Sequence, residues 1–281
     1  MSHQDELARA DRFAFGENWA RFLASVDENR IATAEESLRS MLGVSSLAGK
    51  SFVDVGSGSG LFSLAARRLG ATVTSFDYDP ASVACTAELK RRYFPGDVQW
   101  TVREGSVLDP VFLATIGRFD IVYSWGVLHH TGRMWEALAN VRSLVKPDGL
   151  LFIAIYNDQG RASRYWHAVK KLYNRTPPPL RFTVLAPAFV RLWGPTFARG
   201  LLRGRPFKVW QNYASDRGMS PWRDVVDWVG GYPFEVAKPE EIFEFFRRAG
   251  FDLRRMKTCG GGLGCNEFVF LLKASPDAPQ T

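Results

Sequence analysis

The chain is poor in the residues that build metal centres and covalent cross-links, with three cysteines and four histidines. Cys85, Cys259 and Cys265 cannot all pair and show no C-x-x-C spacing, so neither a disulfide framework nor a cysteine zinc site is indicated; buried thiols are expected. No run of roughly 18 apolar residues occurs, and the opening Met1-Ser2-His3-Gln4-Asp5-Glu6 is polar, without the apolar segment of a leader. These absences predict a cytoplasmic location. Acids are outnumbered by Lys and Arg, 29 to 36, giving a formal charge of +7 and a pI near 9.4. Such a balance suits nucleic acid, an anionic membrane surface or an acidic substrate.

The chain does have one dense segment, Phe52-Val53-Asp54-Val55-Gly56-Ser57-Gly58-Ser59-Gly60-Leu61. Phe52, Val53 and Val55 suit a buried parallel strand, and alternate glycines let the backbone approach a ligand where a Cβ would collide. A helix starting near Leu61 aims its free N–H groups back at the turn, where an anionic group can sit. A dinucleotide fingerprint, G-x-G-x-x-G, would need glycine where Leu61 stands, and no Gly-Lys-Ser/Thr follows as in a P-loop.

Apolar residues recur at helical spacing from Asp5 to about Leu42, predicting two helices. Strand signals then fall at 51–55, 72–77, 98–103, 119–124 and 150–156, with helices at 61–69, 80–93, 110–116 and 133–145 between them. This rhythm predicts an α/β chain with a doubly wound, mostly parallel sheet and a ligand site beyond the carboxyl ends of its strands. Between 157 and 237 the rhythm breaks. Pro177-Pro178-Pro179, Pro187, Pro195 and Pro206 predict a helical insertion of short pieces, with no long helix. The insertion is aromatic and carries more than the chain's whole positive excess. A helix at 239–249 and strands at 251–258 and 266–273, around Gly260-Gly261-Gly262, complete a seven-stranded sheet, and the tail from Ala274 is expected to fray. One domain, 1–281, is expected: an N-terminal helical cap (1–45), a ligand-binding core (50–156), the insertion (157–237) and a C-terminal helix and strand pair (238–273).

Asp54, Gly56, Gly58 and Gly60 form D-x-G-x-G-x-G, and Asp77 closes the second predicted strand. With Gly105-Ser106-Val107-Leu108-Asp109, Phe119 to Ser124, Val127-Leu128-His129-His130 and Leu144-Val145-Lys146-Pro147-Asp148-Gly149, the chain resembles the class I S-adenosylmethionine-dependent methyltransferases. The likeness covers about 50–156 and 238–273, and Leu128-x-His130 is similar to the quinone-pathway O-methyltransferase branch. It implies the Rossmann-like fold of that family, S-adenosylmethionine as donor and S-adenosylhomocysteine as product; no metal is expected, because no cluster of acids and histidines has ligand spacing near this crevice. It also implies a cofactor site of Asp54, Gly56, Ser57, Gly58, Gly60, Asp77 and Tyr78, with Ser106 and Val107 flanking the adenine and Trp125 and Gly126 running past the methionine. In that site Asp77 accepts from the ribose hydroxyls and Asp54 lies near the amino group. Each also has a plain structural reading, as a solvated strand-end acid or a turn cap.

Methyl transfer is an in-line displacement, so the protein mainly aligns the partners and keeps water out. For a hydroxyl acceptor a base helps, and His130 or His129 is the candidate; either could instead only orient the loop. Tyr156 and Asn157 are candidates for acceptor contacts, as is Asn266 beyond the glycine hairpin, and Phe15 and Trp19 for a lid. A small aromatic, lipid-like or acidic acceptor is the favoured partner. RNA along the basic insertion, a membrane surface touching pieces such as Phe189-Val190-Arg191-Leu192-Trp193, and a relative that binds the donor without methylating are the alternatives. The sequence carries no sign of oligomeric state.

Overall fold

The structure, a computed structural model, describes Leu23, residues 26–204 and residues 221–273. The chain divides into two compact units: one runs as far as Gln159 and resumes at Glu235, and the other is Gly160–Phe234. Phe15, Trp19, the first helix expected at the N-terminus and the tail lie outside the described residues.

The first unit opens with α1 (Glu28–Leu42), where the Asp27 side chain caps the Arg30 N–H and Gly43 closes the helix in the left-handed region. Then β1 (Ser51–Val55), α2 (Leu61–Arg68), β2 (Thr72–Asp77), α3 (Pro80–Tyr93), β3 (Trp100–Glu104), α4 (Pro110–Ile116), β4 (Phe119–Trp125), α5 (Met134–Ser143) and β5 (Val145–Tyr156) alternate. Asp79-Pro80 and Asp109-Pro110 start α3 and α4 in the same way: the aspartate caps a first-turn N–H, and the proline fills a position that has no hydrogen bond to lose. After the second unit the chain adds α9 (Pro239–Arg248), β6 (Phe251–Lys257) and β7 (Cys265–Leu272).

These strands form one seven-stranded sheet, ordered β3-β2-β1-β4-β5-β7-β6. β3, β2, β1, β4 and β5 pair in parallel, and β7 is antiparallel to β5 and β6. The expected doubly wound, mostly parallel sheet is therefore present. Its faces are both apolar: Val53, Val55, Val122, Leu151 and Ile153 belong to one buried layer, Phe52, Ile121, Tyr123 and Phe152 to the other. Strand order reverses between β1 and β4, which places the crevice beyond their carboxyl ends.

Several boundaries differ from the sequence reading. β3 begins at Trp100 rather than 98, because Val98 is exposed in the preceding turn. β5 begins at Val145, so Lys146-Pro147-Asp148-Gly149 belongs to the strand; Asp148 takes a φ of 58° there. Of the thiols only Cys85 is buried, and Cys259 and Cys265 are half-buried.

The second unit corrects the expectation drawn from its prolines. It holds α6 (Arg161–Arg175), α7 (Phe182–Leu202) and α8 (Pro221–Gly230), and α7 runs for 21 residues through Pro187 and Pro195. Each proline deprives the carbonyl four residues earlier of its partner, at Thr183 and Arg191. Both of those residues and both prolines are exposed, so water can satisfy the freed carbonyls, while Val184, Leu185, Ala188 and Trp193 are buried on the other side. Inside the unit, Lys170 is wholly buried: its ammonium donates to the Trp228 carbonyl and lies 4.1 and 4.8 Å from the Trp228 and Phe234 ring centres. Burial pushes it down to about 7.

Candidate active site

The glycine turn after β1 is held by its neighbours rather than by itself. The Gly56 and Ser57 N–H groups both donate to the Phe76 carbonyl, at 2.9 and 3.0 Å, which hooks the turn onto β2. Thr86 on α3 pins it from behind, with its Oγ1 2.9 Å from Ser57 Oγ and 3.3 Å from the Gly58 carbonyl. Two glycines are required by packing as well as by conformation. A Cβ on Gly56 would lie 2.4 Å from the Val127 side chain, and one on Gly60 2.9 Å from the Thr86 backbone; both glycines have positive φ. The turns following β1 and β4 therefore touch at the point of strand reversal.

Two carboxylates stand at this turn. Asp77, the last residue of β2, accepts from the Gly58 N–H and the Asp79 N–H, each at 3.0 Å. Asp54, on β1, accepts from Ser63 Oγ at 2.5 Å. Behind Ser63 runs a buried relay: Trp100 Nε1 donates to Ser75 Oγ at 2.9 Å, and Ser75 Oγ donates to Ser63 Oγ at 2.7 Å. Both acids are buried, and among the described residues neither has an ion-pair partner. Burial pushes Asp54 up to about 7 and Asp77 up to about 6, with the Asp77 charge adding to the effect on Asp54. A ligand that brings positive charge and hydroxyl donors would favour the ionised form of both. That is the donor set of an amino-acid-bearing nucleoside, so these residues fit S-adenosylmethionine.

Further along the sheet edge, Ser106 and Val107 are buried, and Asn140 Nδ2 on α5 holds the Val107 carbonyl at 2.8 Å. Tyr78 is half-buried, Trp125 is 44% exposed at the end of β4, and Gly126 follows with a φ of 77°. The histidines lie on a short 3-10 turn, Leu128–His130. His129 is fully buried, its Nδ1 accepts the Tyr156 N–H at 3.3 Å, and its ring lies 3.8 Å from that of Tyr156. His130 is only half-buried and meets both rings edge-on, at 4.6 and 5.4 Å. The structure thus brings His129, His130 and Tyr156 into one cluster. Glu235 braces it from the far end of the chain: its N–H donates to the His129 carbonyl, and its carboxylate accepts from the Met134 N–H at the start of α5, both at 3.0 Å.

Asn157 and Asn266 meet each other: Asn266 Nδ2 donates to Asn157 Oδ1 at 3.0 Å, and Asn266 Oδ1 accepts from the Cys259 N–H at 3.1 Å. With both ends of its amide engaged and the residue buried, Asn266 closes the β6–β7 hairpin. The sequence reading missed Ser63, Ser75, Trp100, Thr86 and Glu235. A signal existed for the serines, since Ser63 and Ser75 are polar residues at core positions of an apolar helix and strand. Nothing local could reveal Glu235.

A sheet of this order has its counterpart among known proteins. The chain matches a family described as a methyltransferase domain over residues 26–210. It belongs to that family. Within the methyltransferase domain it is similar to a ubiquinone biosynthesis O-methyltransferase of Methylobacterium sp., 33% identical over 120 residues, 42% of this chain and 46% of that one. It is also similar to a tRNA U34 carboxymethyltransferase of Methylococcus capsulatus, 33% identical over 122 residues, 43% of this chain and 36% of the other. The aligned stretch spans less than half the length of either relative. Among solved structures, an O-methyltransferase family protein from Burkholderia thailandensis aligns over 98% of this chain and 68% of its own, with a TM-score of 0.55 at 15% identity. Magnesium protoporphyrin IX methyltransferase from Synechocystis, with bound S-adenosylhomocysteine, aligns over 87% and 83% with a TM-score of 0.52 at 14% identity. At such identities the likeness is one of fold.

Proposed function

We propose that this chain is an S-adenosylmethionine-dependent methyltransferase acting on a small molecule, by O-methylation of a hydroxyl on an aromatic, lipid-like or acidic metabolite. The observation that carries the reading is the pair of buried acids with no cationic partner among the described residues, Asp54 and Asp77, on either side of a glycine turn at the strand reversal of a methyltransferase domain. When bound, S-adenosylmethionine supplies an electrophilic methyl group on a sulfonium. Asp77 accepts from the ribose hydroxyls, and Asp54, oriented by the Ser63–Ser75–Trp100 relay, faces the ammonium. Ser106 and Val107 flank the adenine, and the Trp125–Gly126 backbone lines the methionine end.

His130 takes the acceptor's proton, because a neutral imidazole does so near pH 7 and this ring is the less buried of the pair. His129 positions it: with Nδ1 accepting from the Tyr156 backbone, the proton of the neutral His129 ring sits on Nε2 and the ring is locked against Tyr156. The similarity to a ubiquinone biosynthesis O-methyltransferase favours O-methylation. RNA is the second reading, favoured by the tRNA-modifying relative together with the basic second unit.

One experiment separates these readings. The protein is incubated with methyl-labelled donor and, in parallel, a small-molecule metabolite extract or total tRNA. Label in a low-molecular-weight product with release of S-adenosylhomocysteine is the expected result. Label confined to tRNA would establish the second reading, and donor binding with no labelled product in either arm would reject both in favour of a binding protein.

A further inference from the structure

From Gly160 to Gly204 the chain holds nine arginines and lysines and no aspartate or glutamate. Lys170 is buried, whereas Arg161, Arg164, Arg175, Arg191, Arg199 and Arg203 are exposed. The second unit therefore has no carboxylate in this span with which to neutralise its own surface.

α7 supplies an independent observation. Its inward face is buried through Val184, Leu185, Ala188 and Trp193, and the outward face of such a helix is ordinarily polar. Here the outward positions Thr183, Pro187, Val190, Gly194, Ala198 and Leu201, spaced by threes and fours, carry no charge, and all but the half-buried Gly194 are exposed. Phe182, Val190, Leu201 and Leu202 are 62 to 88% exposed. Of the segment Phe189–Trp193, only Val190 and Arg191 are exposed; Trp193 is buried. A helix apolar on both sides leaves a stripe that wants an apolar partner, and exposed Arg191, Arg199 and Arg203 share its length. Among the described residues no helix is long and apolar enough to cross a membrane.

We propose that the second unit docks on an anionic lipid surface, with α7 lying in the bilayer plane, its apolar stripe at the headgroup–acyl boundary and its arginines at lipid phosphates. Charge decides against a second copy of the chain as occupant: the copy would bring another acid-free, cationic face against the first, and the two repel. RNA would satisfy the arginines but leave Val190, Leu201 and Leu202 facing a polar backbone. The proposal is independent of the methyl-transfer reading.

The test is sedimentation of the full chain with vesicles of phosphatidylcholine, alone or mixed with phosphatidylglycerol. Binding is expected to the mixed vesicles only and should weaken with salt. Val190→Asp with Leu201→Asp should reduce it on the order of tenfold or more, since a charge placed on the stripe cannot leave water cheaply. Arg199→Glu should reduce it on the order of fivefold or more. Both sites are exposed, so the variants should keep the wild-type circular dichroism and melting profile; a variant that does not is replaced by Val190→Ser with Leu201→Ser. The proposal is overturned by a folded wild-type chain that ignores the mixed vesicles, or by binding that the stripe variant leaves unchanged. It is equally overturned if the stripe variant abolishes a dimer seen in ultracentrifugation while lipid binding is absent, or if the chain retains RNA and not the vesicles.

Discussion

The two units treat charge in opposite ways. In the first, cations meet carboxylates: Arg67 and Asp97 at 2.5 Å, Arg68 with Glu28 at 2.7 Å and Glu35 at 2.9 Å, Lys146 and Asp120 at 2.9 Å. At the glycine turn two buried acids have no cation among the described residues, and that is where a cationic ligand fits. In the second, acids are missing from most of the sequence, so cations turn to rings and carbonyls: Arg181 lies 5.1 Å from the Tyr173 ring, Arg191 4.8 Å from Tyr165, and Lys170 is enclosed by Trp228 and Phe234. Charge left unbalanced in the first unit is buried and local, a mark of a small ligand. In the second it is spread over a surface, a mark of an extended partner.

The comparison breaks most visibly at the histidine cluster. His130→Ala is expected to lower turnover by about 100-fold while donor affinity is kept, read by single-turnover kinetics and calorimetry. A change confined to KM would make His130 a positioning residue. Removing one of the uncompensated acids comes next: Asp77→Ala should weaken S-adenosylhomocysteine binding by about 1.5 to 3 kcal/mol, and Asp77→Asn by less. The pH dependence follows from the same acids. Because burial lifts Asp54 to about 7 and Asp77 to about 6, and the ligand's donors favour the ionised forms, binding releases protons below those values. Affinity should therefore fall as the pH drops from about 7 towards 5, and calorimetry in buffers of different ionisation enthalpy should count the protons; flat affinity across that window would contradict the assignment.

In the second unit the buried lysine gives the sharper test. Lys170 is held at about 7 in the folded chain, below its ordinary 10.5, so between those values the unfolded chain binds the extra proton and stability rises with pH. The increase is at most about 1.4 kcal/mol per pH unit, the limit for one proton, and the rings and the Trp228 carbonyl, which favour the charged form, act to reduce it. Lys170→Met should remove that slope in urea titrations at pH 7, 8 and 9, and an unchanged slope would show that the ammonium stays charged throughout. The smallest effect belongs to the surface: Arg191→Ala should cost about 0.5 to 1 kcal/mol at most, the scale of an exposed cation–ring contact.

Much of the first unit was legible because its signals are local. Asp79-Pro80 and Asp109-Pro110 announce helix starts, and Gly56, Gly58 and Gly60 announce a turn that side chains would block. The relay behind Asp54 was not legible, since Ser63, Ser75 and Trp100 come from α2, β2 and β3 and meet only when the sheet is assembled. α7 was misread for a related reason. The local cost of Pro187 and Pro195 was visible, but the burial of Val184, Leu185, Ala188 and Trp193 that offsets it was not.

The sequence by itself determined the alternating α/β order, the glycine turn with Asp54 and Asp77 on either side, and the excess of positive charge between 157 and 237. Each is a property of neighbouring residues: backbone conformation, period and composition. Only the tertiary structure decided which acids are buried with no cation among the described residues, that His129 is locked on Tyr156 while His130 stays partly open, that Glu235 braces their turn from 101 residues beyond Met134, and that one face of α7 is apolar and exposed. Those outcomes depend on desolvation and on contacts between distant segments, and both come into being only when the chain closes on itself.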